Sequence, residues 1–220
     1  MSLISLRERL RERLAPAAAW TPGGLPAQSD YDLNPGAARP GRTLRPAAVL
    51  VPVIARSEGA TVLLTRRSDN LASHTGQIAF PGGRLDPGET AGQAALREAW
   101  EEVGLDPASV EVLGVGDAYE TVTGFVVTPV VGWLAEPPAV VPSPDEVAEV
   151  FEAPWDFLMD PANHRRDFYD PESGPRRWFW AMPWQERYIW GATASIVRAL
   201  RTRLYGDEAE PAAAVDEDAA

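Results

Sequence analysis

Three carboxylates, Glu98, Glu101 and Glu102, stand at i, i+3 and i+4 within the stretch GGRLDPGETAGQAALREAWEEVGL, residues 82–105. On a helix, at about 100° per residue, they share one face about 100° wide. Like charges one turn apart repel unless something neutralises them. A hard divalent cation such as Mg²⁺ or Mn²⁺ takes oxygen ligands of this kind. The plainer reading is a solvated acidic face, the usual fate of a charge run. Arg97 adjoins the carboxylates and is placed to orient one of them by an ion pair.

The elements around this triad are written locally. Pro81, Gly82 and Gly83 break regular structure, and Asp86-Pro87-Gly88 adds a turn. Thr90 with Gln93 has the form of a capping box, so a helix is expected to start near Thr90. Gly104 is placed to end it. Leu96, Ala99 and Val103 project away from the carboxylates and suit packing on a sheet.

With these residues in view, the stretch resembles the Nudix hydrolase box. Gly83, Glu89, Arg97, Glu98, Ala99, Glu101, Glu102, Gly104 and Leu105 hold its fixed positions, Ala99 being smaller than the usual aliphatic. The resemblance implies an α/β fold, a mixed β-sheet sandwiched between helices. It implies Mg²⁺ or Mn²⁺ as cofactor, held by Glu98, Glu101 and Glu102 with the Gly82 carbonyl. Gly83 and Glu89 are then expected to structure the loop. The catalytic set is Glu98, Arg97 and a second acid. The general base is either Glu98 or an acid from a distant loop, Glu146 first and Glu120 second.

Upstream, Leu63-Leu64-Thr65-Arg66-Arg67-Ser68, then Leu71, His74, Gly76, Gln77 and Phe80-Pro81 run into the box. This resembles the additional signature of the coenzyme A diphosphatase branch, with Ala72 where an Arg is usual. Residues 188–193, YIWGAT, resemble that branch's later W-G-x-T stretch. The resemblance implies hydrolysis of coenzyme A or a derivative to 4′-phosphopantetheine and adenosine 3′,5′-bisphosphate. Arg67, Ser68 and His74 are the expected substrate contacts, Arg suiting phosphate recognition. The rival readings are a Nudix hydrolase of ADP-ribose, a dinucleotide or a nucleoside triphosphate, and a non-catalytic Nudix binding module. The upstream signature argues against the first, and the complete set of box carboxylates against the second.

At 220 residues and 45% apolar, the chain has ample material for one domain with extensions. It has no cysteine, which excludes disulfides and thiolate metal sites and suits a cytoplasmic location. His74 and His164 are its only histidines, too few for a histidine-based metal site. A net charge of −12 argues against non-specific nucleic-acid binding; the resemblance implies a small-molecule substrate. No apolar run reaches the roughly 20 residues of a membrane span, and the N-terminus, alternating Leu with Arg and Glu, is unlike a signal peptide. Oligomeric state is left open, a homodimer being one option.

Three segments are expected. Residues 1–46 give an N-terminal helix, with Leu3, Leu6, Leu10 and Leu14 on one stripe, and an irregular wrapping segment pinned by Trp20 and Tyr31. Residues 47–205 form the Nudix domain, and 206–220 a disordered acidic tail. Within the domain, strands are expected at 47–55, 60–66, 77–80, 110–116, 124–133, 167–169 and 177–184. Pro52 points to an edge or a bulge. Residues 146–158 read as an amphipathic stretch, and 189–205 as the closing helix. Trp178, Phe179, Trp180 and Trp184 read as core or edge packing, with an adenine pocket as the sharper option.

Overall fold

Hydrophobic alternation along one strand divides the molecule into two cores. The computed structural model describes residues 2–37, 41, 43–68 and 76–206. His74, Leu71, Ala72 and the acidic stretch after Gly206 lie outside the described residues. The chain opens with helix α1 (Leu3–Arg13), capped by the Ser2 hydroxyl, which accepts from the Ser5 amide. Leu6 and Leu10 are buried, and Arg7 and Arg11 both pair with Glu111. Leu10 is fully buried, which at about 1.5–3 kcal/mol per large aliphatic is what fixes the helix to the body.

The strap that follows is not wholly irregular, as its Pro/Gly-rich composition led us to expect. Strand β1 (Gln28–Ser29) joins the main sheet, parallel to a later strand. Next come β2 (Arg45–Arg56) and β3 (Gly59–Arg67), an antiparallel hairpin turned at Ser57-Glu58, one residue before the Glu58-Gly59 pair that marks it in the sequence. Short β4 (Ile78–Ala79) and β5 (Gly82–Arg84) lead into α2 (Ala91–Val103). Then follow β6 (Glu111–Val115), β7 (Tyr119–Glu120), β8 (Phe125–Leu134) and β9 (Val147–Pro154). Helix α3 (Trp155–Met159) precedes β10 (Arg165–Tyr169), β11 (Arg177–Trp184) and β12 (Arg187–Trp190), and α4 (Ala192–Tyr205) closes the fold.

The mixed nine-stranded sheet runs β1-β7-β8-β2-β3-β4, with β5 beside β2, β6 beside β8 and β9 beside β3. In β2, Ala48, Leu50 and Ile54 face α2, while Val51 and Val53 face the other core with α1, α3 and α4. Burial on both faces explains why β2 reads as a continuous apolar run. A separate antiparallel sheet, β10-β11-β12, packs on that second side.

Three expectations are corrected. Pro52 sits in a central strand, not at an edge. It falls between the part of β2 paired to β5 (47–49) and the part paired to β3 (53–56), so its missing N–H leaves no gap in either ladder. Residues 147–154 form a strand, because β3 offers them an antiparallel partner along its whole length. Finally, 187–190 pair with β11 before α4 begins, and Gly191, at φ 64°, makes the corner between strand and helix.

Candidate functional site

The metal-type loop is shaped by two close approaches. Gly82 pairs with Val49, and a Cβ on it would collide with the Ala48 carbonyl and the Val49 backbone. A Cβ on Gly83 would lie 2.5 Å from the Glu98 carboxyl carbon. Only glycine lets the helix bring Glu98 against the loop. The capping box starts α2 as the sequence predicts: the Thr90 hydroxyl accepts from the Gln93 amide at 3.3 Å, and the Gln93 side chain accepts from the Thr90 amide at 2.9 Å. At the other end Gly104, in the left-handed region at φ 66°, donates to the Ala99 and Trp100 carbonyls.

Arg97 is the hub of the loop. Its Nε and Nη2 donate to the two oxygens of Glu89 at 2.8 and 2.9 Å, and Nη2 also reaches the Arg84 carbonyl at 3.0 Å. Its Nη1 donates to Glu98 at 2.8 Å and Glu101 at 3.0 Å. The sequence reading gave Arg97 one carboxylate; the structure hydrogen-bonds it to three and places a fourth, Asp86, 3.8 Å away. Glu89 is thereby held below the usual carboxylate range, chiefly by Arg97, and its Oε2 accepts from the Asp86 amide at 2.8 Å.

Glu98 and Glu102 carry the opposite perturbation. Burial pushes the Glu98 carboxyl up; Arg97 opposes this, while Glu101 and Glu146 add to it. Glu102 is 4% exposed, and burial raises it to about 7. The Gly82 amide, donating at 3.2 Å, and the Arg67 guanidinium, 3.9 Å away, moderate the rise, and Glu98 and Glu146 reinforce it. The cluster is short of positive charge on its buried side, where an oxygen-seeking divalent cation would supply it. The carboxylates do not converge as a ready chelate: among the described residues no group of three acids or histidines is arranged around one point. Glu98 and Glu101 are turned to Arg97, and Glu102 to Gly82. Each of the three carboxylates keeps one oxygen outside these hydrogen bonds, Glu98 Oε2, Glu101 Oε1 and Glu102 Oε1, a donor set that suits a hard cation.

The other residues singled out by sequence fall as follows. Arg67 ends β3 beside Glu102, and its buried Nε–H has no hydrogen-bond acceptor among the described residues. Ser68 is buried, and its amide donates to the Glu146 carbonyl at 2.8 Å, so the two segments meet at the cluster. Glu146 is an electrostatic neighbour of both Glu98 and Glu102. Glu120 sits in β7 beside Asp30 and is not among the groups acting on those carboxylates. His74 lies outside the described residues.

A cleft of about 520 Å³ opens next to the loop, between the main sheet, α4, the small sheet and the strap. Val49 lines it and pairs with Gly82, so one strand separates the cleft from the carboxylates. Trp178, Phe179 and Trp190 form its aromatic wall. Trp180 is core, and Trp184 packs on Phe151 and Phe157. Sequence reasoning missed Asp30, Asn34 and Thr121, which also line it. They come from a strap and a turn whose roles depend on partners far along the chain; no local signal marks them.

Residues 44–171 match the NUDIX domain family. The chain is 44% identical over 172 residues to a Pectobacterium atrosepticum protein named "Uncharacterized Nudix hydrolase NudL", covering 77% of this chain and 88% of that one. It is 46% identical over 169 residues to a Citrobacter koseri protein of the same name, covering 74% and 86%. Among solved structures it is similar to a Nudix hydrolase from M. smegmatis, RenU, at 31% identity and a TM-score of 0.45 over 52% of this chain and 73% of that one.

Proposed function

The chain belongs to the Nudix hydrolase family, and from this premise we propose that it cleaves the diphosphate of coenzyme A or one of its derivatives. Membership brings hydrolysis of a phosphorus anhydride in a nucleoside diphosphate-linked substrate. The coenzyme A reading is the finer step. One observation carries it: the upstream segment that resembles the coenzyme A diphosphatase signature delivers Arg67, with an unspent Nε–H, to the edge of the carboxylate cluster.

In this reading Glu98, Glu101 and Glu102, with Gly82, would hold Mg²⁺ or Mn²⁺, which when bound would supply positive charge to the diphosphate and lower the pKa of the attacking water. Arg97 presents Glu98 to the loop and fixes its angle by the bond from Nη1. Glu98 or Glu146 accepts the proton of the attacking water on a carboxylate oxygen. Arg67 donates to a nonbridging diphosphate oxygen through the fork that Glu102 does not saturate. Water adds across one P–O bond of the anhydride, leaving 4′-phosphopantetheine and adenosine 3′,5′-bisphosphate. The aromatic cleft seats one organic end of the substrate.

The test is a panel of coenzyme A, dephospho-coenzyme A, ADP-ribose, a dinucleotide and a nucleoside triphosphate, with products identified by mass spectrometry. Arg67→Ala should raise KM for coenzyme A with little effect on folding. Loss of a charge-assisted hydrogen bond worth roughly 1.5–3 kcal/mol is about 10- to 150-fold in kcat/KM. If Arg67 serves the diphosphate, coenzyme A and its dephospho form suffer equally. A wild type that hydrolyses ADP-ribose far better than either coenzyme A compound sinks the finer reading and leaves the family assignment standing.

A further inference from the structure

We infer that Asn34 and Asp30, on the strap that precedes β2, are positioning residues that set which substrates the aromatic cleft admits. This rests on the reading of the cleft as the seat of the substrate's organic end. Both residues line the cleft, and both lie before residue 44, where the family match begins.

Asn34 binds the backbone of Trp178 as a strand would. Its Nδ2 donates to the Trp178 carbonyl at 2.9 Å, and the Trp178 amide donates to its Oδ1 at 2.8 Å. The same Nδ2 donates to the Asp30 carbonyl at 2.8 Å. Asp30 holds the other wall: its carboxylate accepts from the Val122 amide at 2.6 Å and from the Tyr119 hydroxyl at 2.7 Å. The strap therefore ties the turn between β7 and β8 to strand β11. Among the described residues the two sheets share no strand pairing; beside the Arg187–Glu149 ion pair between β12 and β9, this tie holds the cleft walls together by directed hydrogen bonds.

Wall spacing matters because the cleft lining is mostly apolar, with Gln77, Tyr169 and Arg177 among its polar groups. Asn34 and Asp30 spend their polar atoms on the protein. The Thr193 hydroxyl donates to the Ile78 carbonyl at 3.0 Å, and the Thr121 and Thr123 hydroxyls bond each other at 2.9 Å. What is left is largely aromatic and aliphatic surface, which selects by shape and stacking. A change in separation between Trp178 and the opposite turn then changes what fits, while the diphosphate remains on the carboxylate side of Val49.

The test uses the full chain carrying Asn34→Ala, and Asn34→Asp as the variant that keeps size and the acceptor for the Trp178 amide. Steady-state kinetics are measured on the substrate found in the panel. Quenching of tryptophan fluorescence is measured with 4′-phosphopantetheine and adenosine 3′,5′-bisphosphate, and inhibition with inorganic pyrophosphate. Asn34→Ala should raise KM roughly tenfold, equivalent to about 1.4 kcal/mol, at unchanged kcat. It should weaken one fragment by a similar factor and leave pyrophosphate inhibition as in the wild type. Asn34→Asp should fall between the two, and it carries the comparison if the alanine variant does not fold. If coenzyme A is not the substrate, the fragments of the compound that is hydrolysed replace these two, so failure of the coenzyme A reading shows separately in the panel. Equal KM and quenching in variant and wild type, a loss confined to kcat, or no quenching of the wild type by any fragment overturns the inference.

Discussion

Replacing Glu102 with Gln should make the metal-free chain more stable and the enzyme nearly inactive. Glu102 is 4% exposed, and its carboxyl is raised from the ordinary 4.5 to about 7 by burial. Between those two values the folded state keeps a proton that the unfolded state has released. Stability therefore falls as pH rises through that window and stays low above it. At about 1.4 kcal/mol per pH unit, ionised Glu102 costs the fold about 3 kcal/mol at pH 8. Glutamine keeps the shape and the acceptor for the Gly82 amide, and loses the attraction to Arg67. A gain of about 1–3 kcal/mol is expected at pH 8, shrinking towards zero at pH 4.5. The assay is urea unfolding with chelator at both pH values, alongside turnover in Mg²⁺. Added Mg²⁺ should stabilise the wild type and do much less for the variant. Lower stability of Glu102→Gln at pH 8, or near wild-type turnover at limiting Mg²⁺, would refute the reasoning.

Two further outcomes are open to measurement. Gly83→Ala places a methyl group against the Glu98 carboxylate; it should cost about 1–3 kcal/mol of stability and a larger share of kcat than of KM, and a fully active, equally stable variant would show that the loop gives way. His164, 2% exposed, is held below its ordinary 6.5 mainly by burial, so protonation on acidification favours the unfolded chain. Stability is full above 6.5 and drains as pH falls towards the folded value; His164→Gln should flatten that part of the melting-temperature profile, and an unchanged slope between pH 7.5 and 5.5 would sink the assignment.

The loop and helix of the carboxylate site were legible because their determinants are local. The capping box spans four residues, the carboxylate face five, and Gly104 ends the helix where its spacing says it must. Of the two-residue strands, β4 fell inside the expected strand at 77–80, whereas β1 and β7 were not legible. β1 and β7 exist by pairing with each other and, for β7, with β8. The strand at 147–154 has an amphipathic pattern that a helix could also use, and β3 decides between them. The cleft was least legible of all, since Asn34 meets Trp178 across 144 positions of sequence. The aromatic cluster was visible as composition, yet which ring is core and which is wall follows from the small sheet's placement.

The segment between β8 and β9 is tied to the end of α2 by two backbone bonds. The Val141 amide donates to the Val103 carbonyl and the Ser143 amide to the Glu102 carbonyl, both at 2.8 Å. These are carbonyls that a helix end leaves without partners inside the helix. The same segment then delivers Glu146, whose carbonyl accepts from Ser68. Fraying of this helix terminus and release of the segment are therefore a single opening event. Amide hydrogens of Val141, Ser143 and Ser68 should exchange with solvent at one common rate. That rate measures how often Glu102, Glu146 and Arg67 part company.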